Sequence, residues 1–182
     1  MTMKNRIILL TLTSALLSGG AFAAGPVKGT SSLTIGAVQS DIGLIDDASI
    51  SGFNVKYQFE PDGSRIGFLG SFTYASGSDR IPQPQGPSAK IDSTYFSIAV
   101  GPSYRLNRFA AIYGLFGFAG ADADVEGGVS VNDYFAPVFG AGVRLNPTSS
   151  IVVDAHYEKA GIQSDRKHVD GDTYSVGLGF QF

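Results

Sequence analysis

The sequence has no cysteine and no tryptophan among its 182 residues. Without cysteine there is neither a disulfide framework nor a thiolate metal site, so an exported chain of this kind holds together by backbone pairing and packing alone. No stretch carries the 3.6-residue apolar period of an amphipathic helix, and none reaches the roughly 20 apolar residues a membrane-crossing helix needs. Positive charge is scarce too. Lys4 and Arg6 belong to an N-terminal segment with an apolar run over residues 7–17 and the small-x-small pattern Ala21-Phe22-Ala23, the three-part layout of a secretory signal peptide. Cleavage after Ala23 leaves residues 24–182 as one domain. Loss of Lys4 and Arg6 takes the 13 basic residues to 11, against 16 acidic ones, a net charge of about −5. That balance excludes a nucleic-acid partner, which requires a basic face.

Glycine is abundant, at 24 residues, nearly twice the usual ~7% share, and has no collagen period. What recurs along the chain is two-residue alternation, the mark of a strand with two unlike faces. At the C-terminus Tyr174, Val176, Leu178, Phe180 and Phe182 alternate with Thr173, Ser175, Gly177, Gly179 and Gln181. Similar runs carry Leu33, Ile35 and Ala37; Phe53, Val55, Tyr57 and Phe59; Ile66, Phe68, Phe72 and Tyr74; Phe96, Ile98, Val100 and Tyr104; Phe139, Val143 and Leu145; Ile151, Val153 and Tyr157. Residues 109–120 form another strand whose faces stay unassigned, because glycine and phenylalanine fall on both parities. The count is eight. Tight turns at 60–64, 106–108 and 146–149 alternate with longer polar links near 40–49, 75–92, 121–133 and 160–172. This order predicts an all-β fold: an eight-stranded antiparallel up-and-down transmembrane β-barrel with short periplasmic turns and four longer external loops.

A soluble barrel also alternates, but with its large apolar side chains inward and a charged exterior. Here the apolar parities carry no Lys, Arg, Asp or Glu, as a lipid-facing side requires. The opposite parities set Lys56, Gln58, Arg105, Arg144, Asp154, His156 and Glu158 among glycine, alanine and serine, a set suited to filling a narrow lumen. Tyr57, Tyr74, Tyr104, Tyr157 and Tyr174 fall near strand ends, where aromatic girdles lie. Pro102 and Pro137 interrupt strand patterns and are expected at a bulge or at the rim.

His156 lies between Asp154 and Glu158 on one face. That spacing admits either a catalytic His–carboxylate pair or an interior plug, and with no serine in a nucleophile motif the plug is preferred. Asp165, Arg166, Lys167, His168 and Asp170 make a mixed-charge run in the fourth loop, open to an acidic glycan or a lipopolysaccharide surface, or simply solvated. Asp122, Asp124 and Glu126 lack calcium-loop spacing. No cofactor or metal is called for.

The runs Gly52-Phe53-Asn54-Val55-Lys56-Tyr57, Gly70-Ser71-Phe72-Thr73-Tyr74, Ala99-Val100-Gly101-Pro102-Ser103-Tyr104-Arg105, Ile112-Tyr113-Gly114 and the ending Gly177-Leu178-Gly179-Phe180-Gln181-Phe182 resemble the Ail/OmpX family of small enterobacterial outer-membrane barrels. The resemblance spans the mature chain. It implies a monomeric barrel in outer-membrane lipid and lipopolysaccharide, with strands projecting beyond the outer leaflet. It implies roles in adhesion, invasion and resistance to complement through host-cell, matrix or complement-regulating proteins. It also makes Tyr174, Val176, Leu178, Phe180 and Phe182 the recognition signal for the barrel assembly machinery. The loops, with Pro82, Pro84 and Pro87 beside Gln83 and Gln85, depart from the family pattern. Alternatives are a structural or stress-related envelope protein without a dedicated ligand, and, further off, a lipid-modifying enzyme or narrow channel.

Overall fold

Alternating side chains give each strand one greasy and one small or polar face, and in lipid every backbone amide must find a partner within the protein. A sheet closed on itself satisfies both demands. The computed structural model describes residues 28–42, 49–81, 89–125, 129–164 and 167–182; the expected leader, residues 1–23, lies outside them. Eight antiparallel strands follow in chain order: β1 (Gly29–Ile42), β2 (Ser49–Pro61), β3 (Ile66–Ile81), β4 (Ala89–Asn107), β5 (Ala110–Val125), β6 (Val129–Leu145), β7 (Ile151–Ser164) and β8 (Lys167–Gln181). Each pairs with its neighbours in sequence, and β8 pairs with β1 to close the barrel.

The registers fix the shape. From Leu33, successive cross-strand partners are Tyr57, Gly70, Val100, Phe116, Phe139, Lys159, Asp172 and finally Asp41, eight residues further along β1 than the start. An eight-residue stagger over eight strands tilts them by roughly 35–45° and leaves a lumen that side chains fill. The same circuit climbs out of the apolar layer, since its outward residues are hydrophobic as far as Phe139 and charged from Lys159 onward.

The tight turns follow from their residues. Gly63, at φ 74°, takes the left-handed conformation in the β2–β3 turn, which costs glycine little. The Asn107 side-chain oxygen accepts the amides of Phe109 and Ala110 at 2.8 and 2.9 Å, and Thr148 Oγ1 accepts those of Ser150 and Ile151. Asn and Thr fold the backbone in this way at turns. On β5, where the sequence leaves the faces open, Ala111, Tyr113, Leu115, Ala119 and Ala121 turn inward while Ile112, Phe116 and Phe118 turn outward.

At the external end the strands run further than alternation suggests, leaving only 43–48, 82–88, 126–128 and 165–166 between them. Pairing continues there without the apolar two-sided pattern that betrays the strands lower down. Pro137 lies just outside the last part of the β6–β7 ladder, which begins at Val138, as expected of a rim residue. Pro102 corrects the expectation. It keeps its place opposite Phe68, while the β4–β5 ladder skips Gly101 and Pro102 without changing register. The neighbouring bulge is instead at Arg105/Asn107. A proline has no amide hydrogen to give, and the barrel tolerates the missing rungs on that side.

Val176 and Leu178 are more than 60% exposed on the outer wall, whereas Val138 and Val152 are wholly buried inside. Val176→Lys is therefore expected to cost about 2–4 kcal/mol, and Gln39→Lys, at the polar edge of the same wall, about 0–1 kcal/mol. Urea unfolding in lipid vesicles measures the difference; equal losses contradict the orientation of the wall.

Candidate functional site

Inward parity brings the polar residues to the lumen, and register decides which of them meet. Asp154 of β7 is the hub. It binds Lys56 Nζ at 2.7 Å through Oδ1, takes the Tyr113 hydroxyl at 2.9 and 3.0 Å on its two oxygens, and lies 3.7 Å from Arg144 Nε. Lys56 also donates to Ser175 Oγ at 3.2 Å. Arg144 donates to Ser32 Oγ at 2.6 Å and to the Gln58 carbonyl. Gln58 in turn donates to Ser103 Oγ at 3.0 Å and to Glu60. Nearer the periplasmic mouth Arg105 pairs with Glu60 at 2.6 Å and reaches Asn146, whose amide donates to Gln181. Toward the external end Tyr95 donates to Glu158 at 2.5 Å, and His156 Nε2 stands 4.0 Å from the other Glu158 oxygen.

All seven lumen residues named from the sequence face inward. Six of them, Lys56, Gln58, Arg144, Asp154, His156 and Glu158, are buried, and Arg105 is partly exposed at the mouth. Sequence reasoning missed Tyr113, Tyr95, Ser175, Glu60 and Asn146 as partners. Glu60 shares the parity of Lys56 and Gln58, a signal that was there to read. Tyr113 was hidden by the mixed pattern of β5. Its ring lies over Gly142, where a Cβ would come within 2.3 Å of it, and it stacks on His156 at 6.0 Å. Small residues and aromatics thus interlock across β5, β6 and β7. Beyond this network Ile50, Ala75, Ala119, Ala136, Val138 and Ala160 form an apolar cluster that fills the lumen toward the outside. His156 and Glu158 are 5% and 0% exposed.

The other candidate residues divide. Asp165 and Arg166 lie outside the described residues. Lys167, His168 and Asp170 stand on β8, opposite Ser164, Gln163 and Gly161, so they belong to a hairpin rather than to an open loop. Tyr174, Val176, Leu178 and Phe180 line the outer wall, and Phe182 is tied to Ser31 by two backbone hydrogen bonds of 2.8 Å.

The rim is uneven. The β2–β3 ladder ends at Ser51 and Ser76, and the β6–β7 ladder spans only residues 138–145 of β6. Between these ends β3, β4, β5 and β6 continue outward paired only with one another. They form a four-stranded flap whose edge at 129–137 of β6 has no further ladder partner among the described residues. An unpaired edge is a row of free amides and carbonyls ready to receive another chain.

A closed barrel with a lipid-facing apolar wall and a lumen filled by paired charges is an integral outer-membrane β-barrel protein. The family model for the outer membrane protein beta-barrel domain matches residues 8–182. Outer membrane protein X of Escherichia coli (strain K12) is 37% identical over 174 residues, covering 93% of this chain and 96% of that protein. The attachment invasion locus protein of Yersinia enterocolitica is 31% identical over 189 residues, covering 99% of this chain and all of its own length. Among solved structures, Ail of Yersinia pestis in complex with the heparin analogue sucrose octasulfate matches with a TM-score of 0.71 at 30% identity, over 85% of this chain and 99% of that one. The chain belongs to the Ail/OmpX family of outer-membrane proteins, and its place is the Gram-negative outer membrane.

Removing the hub leaves two buried cations facing each other. Asp154→Ala is expected to destabilise the barrel by about 3–5 kcal/mol, read from urea unfolding in vesicles; a loss below ~1 kcal/mol contradicts the assignment of Asp154 as the centre of the lumen network.

Proposed function

We propose that this chain is a surface attachment protein, contacting host-cell or matrix proteins through the flap while the barrel serves as its anchor. The outer edge of β6 carries this reading, because sheet edges bind extended segments by backbone hydrogen bonds. The relatives support it: one is an attachment invasion locus protein and another a virulence membrane protein, PagC of Salmonella typhimurium. Serum resistance through complement-regulating proteins uses the same surface. The chain works as a monomer in lipopolysaccharide and lipid, delivered there after residues 1–23 are removed and the aromatic stripe ending in Phe182 is read by the barrel assembly machinery. The lumen residues Lys56, Gln58, Arg105, Arg144, Asp154, His156 and Glu158 are structural, and the protein is not an enzyme. Burial of His156 and Glu158 supports this, and the apolar filling beyond them argues against a channel.

The test is to replace residues 77–93 and 122–133 by Asn-Gly turns, which suit two-residue hairpins and join the paired residues Ser76/Thr94 and Ala121/Tyr134. The shortened protein is expected to keep its heat-modifiable band in detergent and to lose ~10-fold or more of the cell attachment that the full chain confers on a non-adherent host strain, as edge contacts supply the affinity. Undiminished attachment contradicts the proposal and favours a structural envelope role.

A further inference from the structure

The lumen holds two hydrogen-bonded clusters that stop short of each other. One centres on Asp154 and extends through Lys56, which donates to Ser175 Oγ at 3.2 Å, to His156, whose Nδ1 lies 3.4 Å from the same Ser175 oxygen. The other is Glu158, whose Oε1 accepts the Tyr95 hydroxyl at 2.5 Å. Between them three polar atoms are stranded. His156 Nε2, Glu158 Oε2 and Ser97 Oγ are buried without a hydrogen-bond partner among the described residues, and the Ser97 hydroxyl stands beside the Glu158 carboxyl. Ser97 and Glu158 are wholly buried, and the His156 side chain is 1% exposed. Folded proteins rarely leave such atoms unsatisfied.

The first cluster sets the hydrogen on the imidazole. An ammonium group only donates, so Ser175 accepts from Lys56 and its own hydrogen is left for His156 Nδ1. With Nδ1 accepting, the hydrogen of the neutral ring is on Nε2. Nε2 lies 4.0 Å from Glu158 Oε2, too far for a direct bond, whereas one water about 2.8 Å from each atom spans the gap. Gly140 leaves the room for it, since a Cβ there would come within 2.6 Å of Nε2. Charge favours a neutral occupant. Among the described lumen residues Lys56, Arg105 and Arg144 already balance Glu60, Asp154 and Glu158. A bound cation, or a second hydrogen on His156, would leave a charge uncompensated in a closed interior.

We infer that one water molecule is built into the lumen between His156 Nε2, Glu158 Oε2 and Ser97 Oγ, with His156 as its donor in the neutral Nε2–H tautomer. The water accepts the imidazole hydrogen and donates to the carboxylate, and with Ser97 it has the three partners usual for a buried water. Lys56, Ser175, His156, the water, Glu158 and Tyr95 then form one chain across β2, β8, β7 and β4, so the lumen is a single network rather than two. The inference concerns the anchor and is independent of the attachment reading.

The experiment is nitrogen NMR of the histidine-labelled full chain in phospholipid nanodiscs near neutral pH, with His168→Gln assigning the His156 signals. The expected result is a neutral ring with its hydrogen on Nε2, and magnetisation transfer between that hydrogen and a long-lived water. Ser175→Ala should move part of the ring population to the Nδ1–H tautomer. Gly140→Ala should abolish the transfer to water, and Ser97→Ala should weaken it, with the heat-modifiable band unchanged. A histidine that only fills space would respond to none of these. An imidazolium, or the hydrogen on Nδ1 in the unaltered protein, overturns the inference. So does an Nε2 hydrogen that shows no contact with water, and so does transfer that stays undiminished in Ser97→Ala, which keeps the test decisive should Gly140→Ala fail to fold.

Discussion

Everything in this molecule follows from the need to satisfy the backbone inside lipid. An amide without a partner in hydrocarbon costs several kcal/mol, so the sheet cannot keep a free edge within the membrane, and β8 returns to β1. Closure with an eight-residue stagger then fixes the lumen width. That width in turn dictates what the inward parity holds: glycine and alanine where strands approach closely, and long polar side chains only where a partner stands across the lumen. Outside the membrane the requirement lapses. There the ladders part between β2 and β3 and between β6 and β7, and the backbone no longer has to be satisfied within the sheet, since water can reach it.

The lumen network is the price of a narrow polar interior. Lys56 and Arg144 converge on Asp154, and each bond from Tyr113, Ser175, Ser32 and Gln58 removes a lone pair or proton that would otherwise be stranded. Such clusters are not strong because they are charged; they are costly to disturb because any one member, removed, strands the others. The apolar filling toward the outside completes the separation of roles. The barrel is a closed post, and recognition is left to what rises above it.

Much of this was legible in the sequence, and the illegible parts have physical causes. β8 and β7 could be read face by face because lipid excludes charge from one side and the lumen excludes bulk from the other. β5 could not, since Gly114, Gly117 and Gly120 blur the pattern and Tyr113 turns inward over Gly142. Alternation gives a residue's face but not its height, so the meeting of Lys56 with Asp154, 98 positions apart, needed the register. The outer reaches of β3 to β6 looked like loops because their sequence is polar rather than two-faced, although the backbone goes on pairing there. Likewise the run 165–170 looked like one loop, although Lys167, His168 and Asp170 continue β8.

The orientation of the wall is tested most directly by magnetisation transfer from lipid acyl chains to the methyl groups of the otherwise deuterated protein in nanodiscs. Signal is expected at Ile35, Val176 and Leu178 and not at Leu69, Val138 or Val152. Transfer to the second set with none to the first would show the barrel inside out and end the account.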